Sequence, residues 1–282
     1  MRRLGVHTSI AGGLHKGLEK AHELGCGTLQ IFSHNPRGWA VKAKDPEECR
    51  LFMELRDAYD LSPVFIHSSY LINLASSDRD LLRKSVAMVI EEMNIADAIG
   101  AGYVVLHTGS ASGDDPAAAR SRAIDCLRRV GESGSWKAGL LLENTAGERG
   151  DITSKIREIS EILHAVSGEL IAGVCLDTCH AYSAGYDLTT AAGREVLVAA
   201  LEQDIGKERL KLLHLNDSKN AAGSGVDRHE HIGEGKIGAE ALGQVINHPF
   251  FQDVPLILET PKKTDDDDPR NLKTVRRLLG KK

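Results

Sequence analysis

Eight short apolar runs recur along the 282-residue chain: "LGVH" (4–7), "TLQIF" (28–32), "PVFIH" (63–67), "YVVLH" (103–107), "GLLLE" (139–143), "GVCLD" (173–177), "LKLLH" (210–214) and "PLILE" (255–259). They are rich in aliphatic and β-branched residues and lack polar alternation, so they read as strands covered on both faces, the condition of a parallel sheet. The segments between them read as helices. In 78–99, Leu82, Val86, Val89, Met93 and Ala96 follow at steps of four and three, which marks one helical face. In 45–60, Asp45 stands as N-cap ahead of Pro46 at the first helical position. Eight alternating units with strands too apolar to face water predict a closed α/β barrel of the TIM (β/α)8 type, with residues 1–282 forming a single domain.

Barrels of this kind carry their active sites at the C-terminal ends of the strands. Seven of the eight runs end on a histidine or a carboxylate: His7, His67, His107, Glu143, Asp177, His214 and Glu259. Closure would bring these ends onto one ring of roughly 15 Å. His7 reads equally as a hydrogen-bonded core residue. His15, His22, His34, His164 and His248 lie outside the pattern and read as structural.

Imidazole nitrogen and carboxylate oxygen are the ligands of zinc and similar ions, and carboxylates can bridge two of them. Two further segments add ligand types. His180 follows Asp177 in "GVCLDTCHA" (173–181), and "DRHEH" (227–231) supplies Asp227 and His229, which project to the same side of an extended chain. His231 shares that side but reads as a solvated loop residue. Nine ligands exceed the needs of one ion and suit two or three, with Glu143 as a bridge. Such a cluster can supply hydroxide at neutral pH, neutralise a phosphodiester and stabilise its leaving oxygen. The cysteines do not compete for this role. Cys175 and Cys179 are spaced CxxxC, which is no redox motif, and adjacent Cys179 and His180 would point apart on an extended chain.

Three segments, "HSSYLINLA" (67–75), "GVCLDTCHA" (173–181) and "LHLNDSKN" (213–220), resemble the signature segments of the endonuclease IV family of DNA repair enzymes. The likeness runs from "HTSIAGGL" (7–14) to "ILETP" (257–261). It implies an apurinic/apyrimidinic (AP) endonuclease that hydrolyses the phosphodiester 5′ to an abasic site, leaving a 3′-hydroxyl and a 5′-deoxyribose phosphate. It also implies 3′-phosphodiesterase repair of blocked 3′ ends in double-stranded DNA. The resemblance further implies three Zn2+ ions, with Mn2+ or Fe2+ open at some positions. One ion would be held by His67, His107 and Glu143, a second by Glu143, Asp177, His214 and Glu259, and a third by His180, Asp227 and His229. Glu143, Glu259 and Asp177 would be the catalytic carboxylates, and Arg37, Tyr70 and Leu71 would enter the duplex beside the lesion. A metal-dependent sugar isomerase shares the strand-end carboxylates and histidines but has no use for "DRH" and His180.

The formal charge of −5 counts against a nucleic-acid partner when taken bare. Three divalent ions would bring it to +1, with the added charge at the barrel mouth, and phosphate attraction is a local matter. Five cysteines, at 26, 49, 126, 175 and 179, form no CxxC motif and are odd in number, which fits a reducing cytoplasm. No run of 18 apolar residues occurs, and no apolar stretch follows the basic "MRRLGVHTSI", so neither a membrane span nor a signal peptide is expected. A monomer is the expected state. The acidic "TDDDDP" (264–269) reads as a solvated loop before the last helix.

Overall fold

The computed structural model describes residues 2–166 and 168–280. Eight parallel strands close into a barrel: β1 (Leu4–Thr8), β2 (Leu29–Phe32), β3 (Val64–His67), β4 (Tyr103–Leu106), β5 (Gly139–Glu143), β6 (Ile171–Asp177), β7 (Leu210–His214) and, last in the chain, β10 (Leu256–Leu258), which pairs with both β7 and β1. A small antiparallel hairpin, β8 (Asp217–Ser218) and β9 (His229–Glu230), rises from the loop after β7. The outer helices are α1 (Leu14–Glu23), α2 (Pro46–Ala58), α3 (Arg79–Ile99), α4 (Pro116–Ser133), α5 (Ile156–Ala165), α7 (Ala191–Asp204), α8 (Gly238–Asn247) and α9 (Asp267–Leu279). A short helix, α6 (Thr178–Ser183), continues directly from β6.

Strand alternation decides what lies inside. Phe65, Val105, Leu141, Cys175, Leu212 and Ile257 form a compact cluster in the lumen. Their neighbours Val64, Ile66, Val104, Leu140, Leu142, Val174, Leu176, Leu256 and Leu258 pack outward in the larger core against the helices. Two residues beyond each lumen residue, on the same side of the strand, stands His67, His107, Glu143, Asp177, His214 or Glu259. The apolar plug thus forms the floor on which the polar ring rests. Where strands crowd most closely only glycine fits: a Cβ on Gly173 would stand 2.0 Å from the Arg209 carbonyl oxygen.

The helix starts follow the sequence. Asp45 caps α2 by accepting from Glu47 N, Asp78 caps α3, and Gly100 ends α3 in the left-handed conformation. Two expectations need correction at strand ends, since His107 and Glu259 lie one residue past β4 and β10. A third concerns Cys179 and His180, which are helical rather than extended because the Asp177 carboxylate caps α6 by accepting from His180 N at 2.8 Å. The acidic run is also not a free loop. Asp267 and Asp268 are buried and open α9. Asp267 accepts from the Lys263 and Thr264 amides, and Asp268 pairs with Lys262 at 2.8 Å.

Candidate metal centre

The β strands deliver their terminal side chains to one point, and Glu143 stands at its centre. Its Oε2 lies 3.4 Å from His67 Nε2 and 3.3 Å from His107 Nε2. Its Oε1 lies 2.9 Å from His214 Nδ1 and 3.4 Å from His180 Nδ1. One wholly buried carboxylate therefore meets four imidazoles, two on each oxygen.

Three groups of ligand atoms form around it, each with all its atoms within 4.8 Å of one another: His67, His107 and Glu143; Glu143, Asp177, His214 and Glu259; and His180, Asp227 and His229. All nine sequence-derived ligand candidates fall into these groups. The third joins two distant segments. His180 comes from α6 and the other two from the approach to β9, with Asp227 3.3 Å from both His180 Nε2 and His229 Nε2. His231 turns away to Asn271 at 3.0 Å.

The opposite ring nitrogens are tied to neutral oxygens. His67 Nδ1 lies 2.9 Å from the Ser68 carbonyl, His180 Nδ1 2.9 Å from the Asn144 carbonyl, and His229 Nδ1 3.0 Å from the Glu259 carbonyl. A carbonyl only accepts, so each Nδ1 carries a proton, and Nε2, which faces the carboxylates, is the nitrogen each ring can offer to a cation. The carboxylates are braced as well. Asn216 donates to Asp177 Oδ2 at 2.7 Å and accepts from Glu259 N at 2.8 Å, while Asn144 accepts from Asp177 N at 2.7 Å.

Burial opposes charge throughout the site, and the neighbours overrule it at most positions. Burial would raise the Glu143 and Glu259 carboxyls, but His107 and His214 hold Glu143, and His214 and His7 hold Glu259, well below the usual carboxylate range. Asp227 is likewise held at about 2 by His180 despite burial. Burial also disfavours charged His180 and His214, yet Asp177 and Asp227 lift His180, and Glu259 and Glu143 lift His214, well above the ordinary imidazole value. For His107 burial prevails and its value falls. Burial pushes the Cys175 and Cys179 thiols up to about 12, so neither offers a ready thiolate.

The donor set fits divalent ions. Glu143 Oε2 and His229 Nε2 are buried with no hydrogen-bond partner, although both face ligand-type atoms; such orphans are costly unless something else binds them. An open groove reaches the cluster. One cavity of about 540 Å3 is bordered by His7, Phe32, His34, His67, Tyr70 and Lys262, and a second of about 540 Å3 by Leu71, Asn73, Glu148 and Asp151. Tyr70, His107, His180 and Asp227 border both. Tyr70 is 62% exposed, Arg37 is exposed and Leu71 is half-buried.

Several residues of the site carried no sequence signal of their own. Gln30, Asn144 and Asn216 are uncharged and lie within or just beyond strands. His7, open between two readings, borders the groove with Nδ1 3.5 Å from Glu259. His34, read as structural, borders it too while bonding Glu92 at 3.0 Å.

The fold and the cluster together define a xylose isomerase-like TIM barrel with three groups of ligand-type side chains at its mouth; the family of that description matches residues 18–281. A protein named probable endonuclease 4 from Methanoculleus marisnigri is 40% identical over 278 residues, covering 98% of this chain and 99% of its own. Another of that name from Halothermothrix orenii is 44% identical over 262 residues, covering 92% and 94%. The crystal structure of endonuclease IV from Thermus thermophilus matches with a TM-score of 0.88 at 38% identity, covering 99% of this chain and all of that one. The chain belongs to the endonuclease IV family.

Proposed function

We propose that this chain is a zinc-dependent AP endonuclease of DNA repair. It hydrolyses the phosphodiester 5′ to an abasic site to give 3′-hydroxyl and 5′-deoxyribose phosphate ends, and it clears blocked 3′ ends by the same hydrolysis. The observation that carries this reading is the sharing of Glu143 between two ligand groups, with the third alongside at the head of an open groove. Three Zn2+ ions would be held by His67, His107 and Glu143; by Glu143, Asp177, His214 and Glu259; and by His180, Asp227 and His229. Mn2+ or Fe2+ could occupy some of these positions. Bound there, the ions would supply Lewis acidity toward phosphoryl and leaving oxygens and a nucleophile at neutral pH.

The chain's own groups do the rest. Glu143, ionised in its buried setting, keeps the groups together and orients the attacking water. Glu259 borders the groove, so it can accept a proton from that water, and Asp177 fixes the adjoining ligand geometry through Asn216. Tyr70, exposed between the two lobes, would fill the vacated stack with Leu71, and Arg37 would meet a phosphate. The chain works as a monomer and as one domain over residues 1–282. All five cysteines are buried and unpaired, which supports a cytoplasmic location, and no described helix is long and apolar enough to cross a membrane.

Metal-replete protein incubated with a duplex bearing one abasic analogue should nick it once, on the 5′ side, and elemental analysis should give about three ions per chain. Uncut duplex under those conditions would sink the reading. The doubly substituted Asp227→Ala, His229→Ala protein should retain its fold, lose about one ion and lose cleavage. Full cleavage by that variant would show that the third ligand group is dispensable and break the three-ion reading.

A further inference from the structure

Gln30 sits in β2, whose end carries no ligand-type residue, and it is wholly buried. Strand register sets it level with His7 of β1 and Phe65 of β3, just below the ring of ligand-type side chains. Its amide spends every hydrogen-bonding group on the site. Oε1 lies 2.8 Å from His214 Nε2, and Nε2 lies 2.6 Å from Glu259 Oε1 and 3.0 Å from His7 Nδ1.

The direction of these bonds follows from Glu259. The amide nitrogen, which only donates, faces its Oε1 at 2.6 Å. The carbonyl end then faces His214, which must donate from Nε2. With Nε2 so committed, Nδ1 is the His214 nitrogen turned toward Glu143 Oε1 at 2.9 Å and Glu259 Oε2 at 3.2 Å. The same amide ties up Glu259 Oε1 and leaves Oε2 to face the group. Reversing the amide would set its oxygen against a carboxylate oxygen and strip His214 of its acceptor.

We propose that Gln30 is a positioning residue for the group Glu143, Asp177, His214 and Glu259. It engages His214 through Nε2, so that Nδ1 is the nitrogen presented to the group, and it orients Glu259 so that one oxygen is free. No other described residue bonds both His214 and Glu259 through its side chain. The assignment rests on that group binding a metal ion.

The test uses Gln30→Leu and Gln30→Met, which approximate the shape of the side chain without its bonds. Chelator competition on the zinc-loaded proteins should show affinity for one ion lowered ten- to a hundredfold, the usual effect of removing a group that orients a ligand. The kcat on abasic duplex should fall in step with little change in KM, and added Zn2+ should restore part of it. The melting temperature of the chelator-stripped variants should stay near that of stripped wild type. Unchanged affinity for every ion overturns the proposal. So does stripped protein that unfolds early or fails to fold, since Gln30 would then serve the barrel and not the metal. Wild-type protein that binds no zinc would instead remove the metal-centre reading itself, a result visible before any variant is compared.

Discussion

Glu143 stands where two of the candidate ligand groups meet. Its two oxygens face different histidine pairs, so losing its charge should disturb two ligand groups at once. Glu143→Gln keeps the volume but offers one neutral acceptor in place of two anionic oxygens. Cleavage of abasic DNA should fall by more than about a hundredfold, the upper end of what loss of a mere orienting partner costs, and metal content should fall with it. A variant that nicks at near wild-type rate would show that Glu143 bridges nothing. The histidines give a pH test. In the metal-free protein His180 and His214 hold protons well above the ordinary value of 6.5, whereas a metal ligand must be deprotonated. Protons therefore compete with metal from above that value downward. Apparent zinc affinity should weaken steadily from about pH 8 to about pH 6, with proton release on binding. Calorimetry in buffers of different ionisation enthalpy would read both, and pH-independent affinity over that range would show that these imidazoles are not the ligands.

At the scale of elements, the barrel was legible because its strands are uniform apolar runs, and the ring of ligand-type side chains because one period-two rule turns the strand ends inward. Gln30 was hidden by the same logic: within "TLQIF" a single amide looks like an interruption of an apolar strand, and only closure of the barrel reveals what it faces. The helical setting of His180 was missed because the cap that starts α6 is Asp177, a residue already assigned to the strand. In "TDDDDP" local charge density suggested solvent, but the third and fourth aspartates satisfy backbone amides and Lys262 where α9 begins. Glu92 is another buried carboxylate without a local signal. From α3 it accepts from Ser69 N at 2.8 Å and bonds His34 at 3.0 Å, while Ser69 Oγ donates to the Pro36 carbonyl at 2.8 Å. It thus fastens together the loops carrying Arg37 and Tyr70. Burial raises its carboxyl above the ordinary 4.5, with His34 opposing. An acid raised in the folded state stabilises the fold below its unfolded value and loses that contribution as pH climbs toward the folded one. Melting curves should therefore show wild type losing stability relative to Glu92→Gln as pH rises from about 4 toward neutrality. Glu92→Ala, which orphans the Ser69 amide, should cost about 1–3 kcal/mol. Parallel wild-type and Gln curves would mean that Glu92 carries no burial penalty.

For the molecule as a whole, the question is how a recessed cluster reaches a phosphodiester inside a stacked duplex. On the proposed function the nucleotide would have to be turned out and the DNA bent, which costs a few kcal/mol and least where a base is already missing. Selectivity for damage then comes partly from the DNA itself, and the protein must supply groups to hold the opened stack. Tyr70 suits that role, being 62% exposed, braced edge-on against Phe32 at 5.2 Å, and placed where the two lobes of the groove meet. A loop-packing role would bury it instead, as most such residues are buried when they serve a core. Leu71 is half-buried beside it, and Arg37 is exposed on the neighbouring loop, held in register by Glu92 and Ser69. Replacing Tyr70 and Leu71 by alanine should weaken binding to abasic duplex by roughly 1–3 kcal/mol per stacking contact. Arg37→Ala should weaken it and flatten its salt dependence. Metal content, melting temperature and hydrolysis of a small activated phosphodiester should stay near wild type, because none of these side chains belongs to a ligand group. Reduced stability with unchanged duplex affinity would show that the three side chains only hold their loops, and that recognition of the lesion lies elsewhere on the barrel mouth.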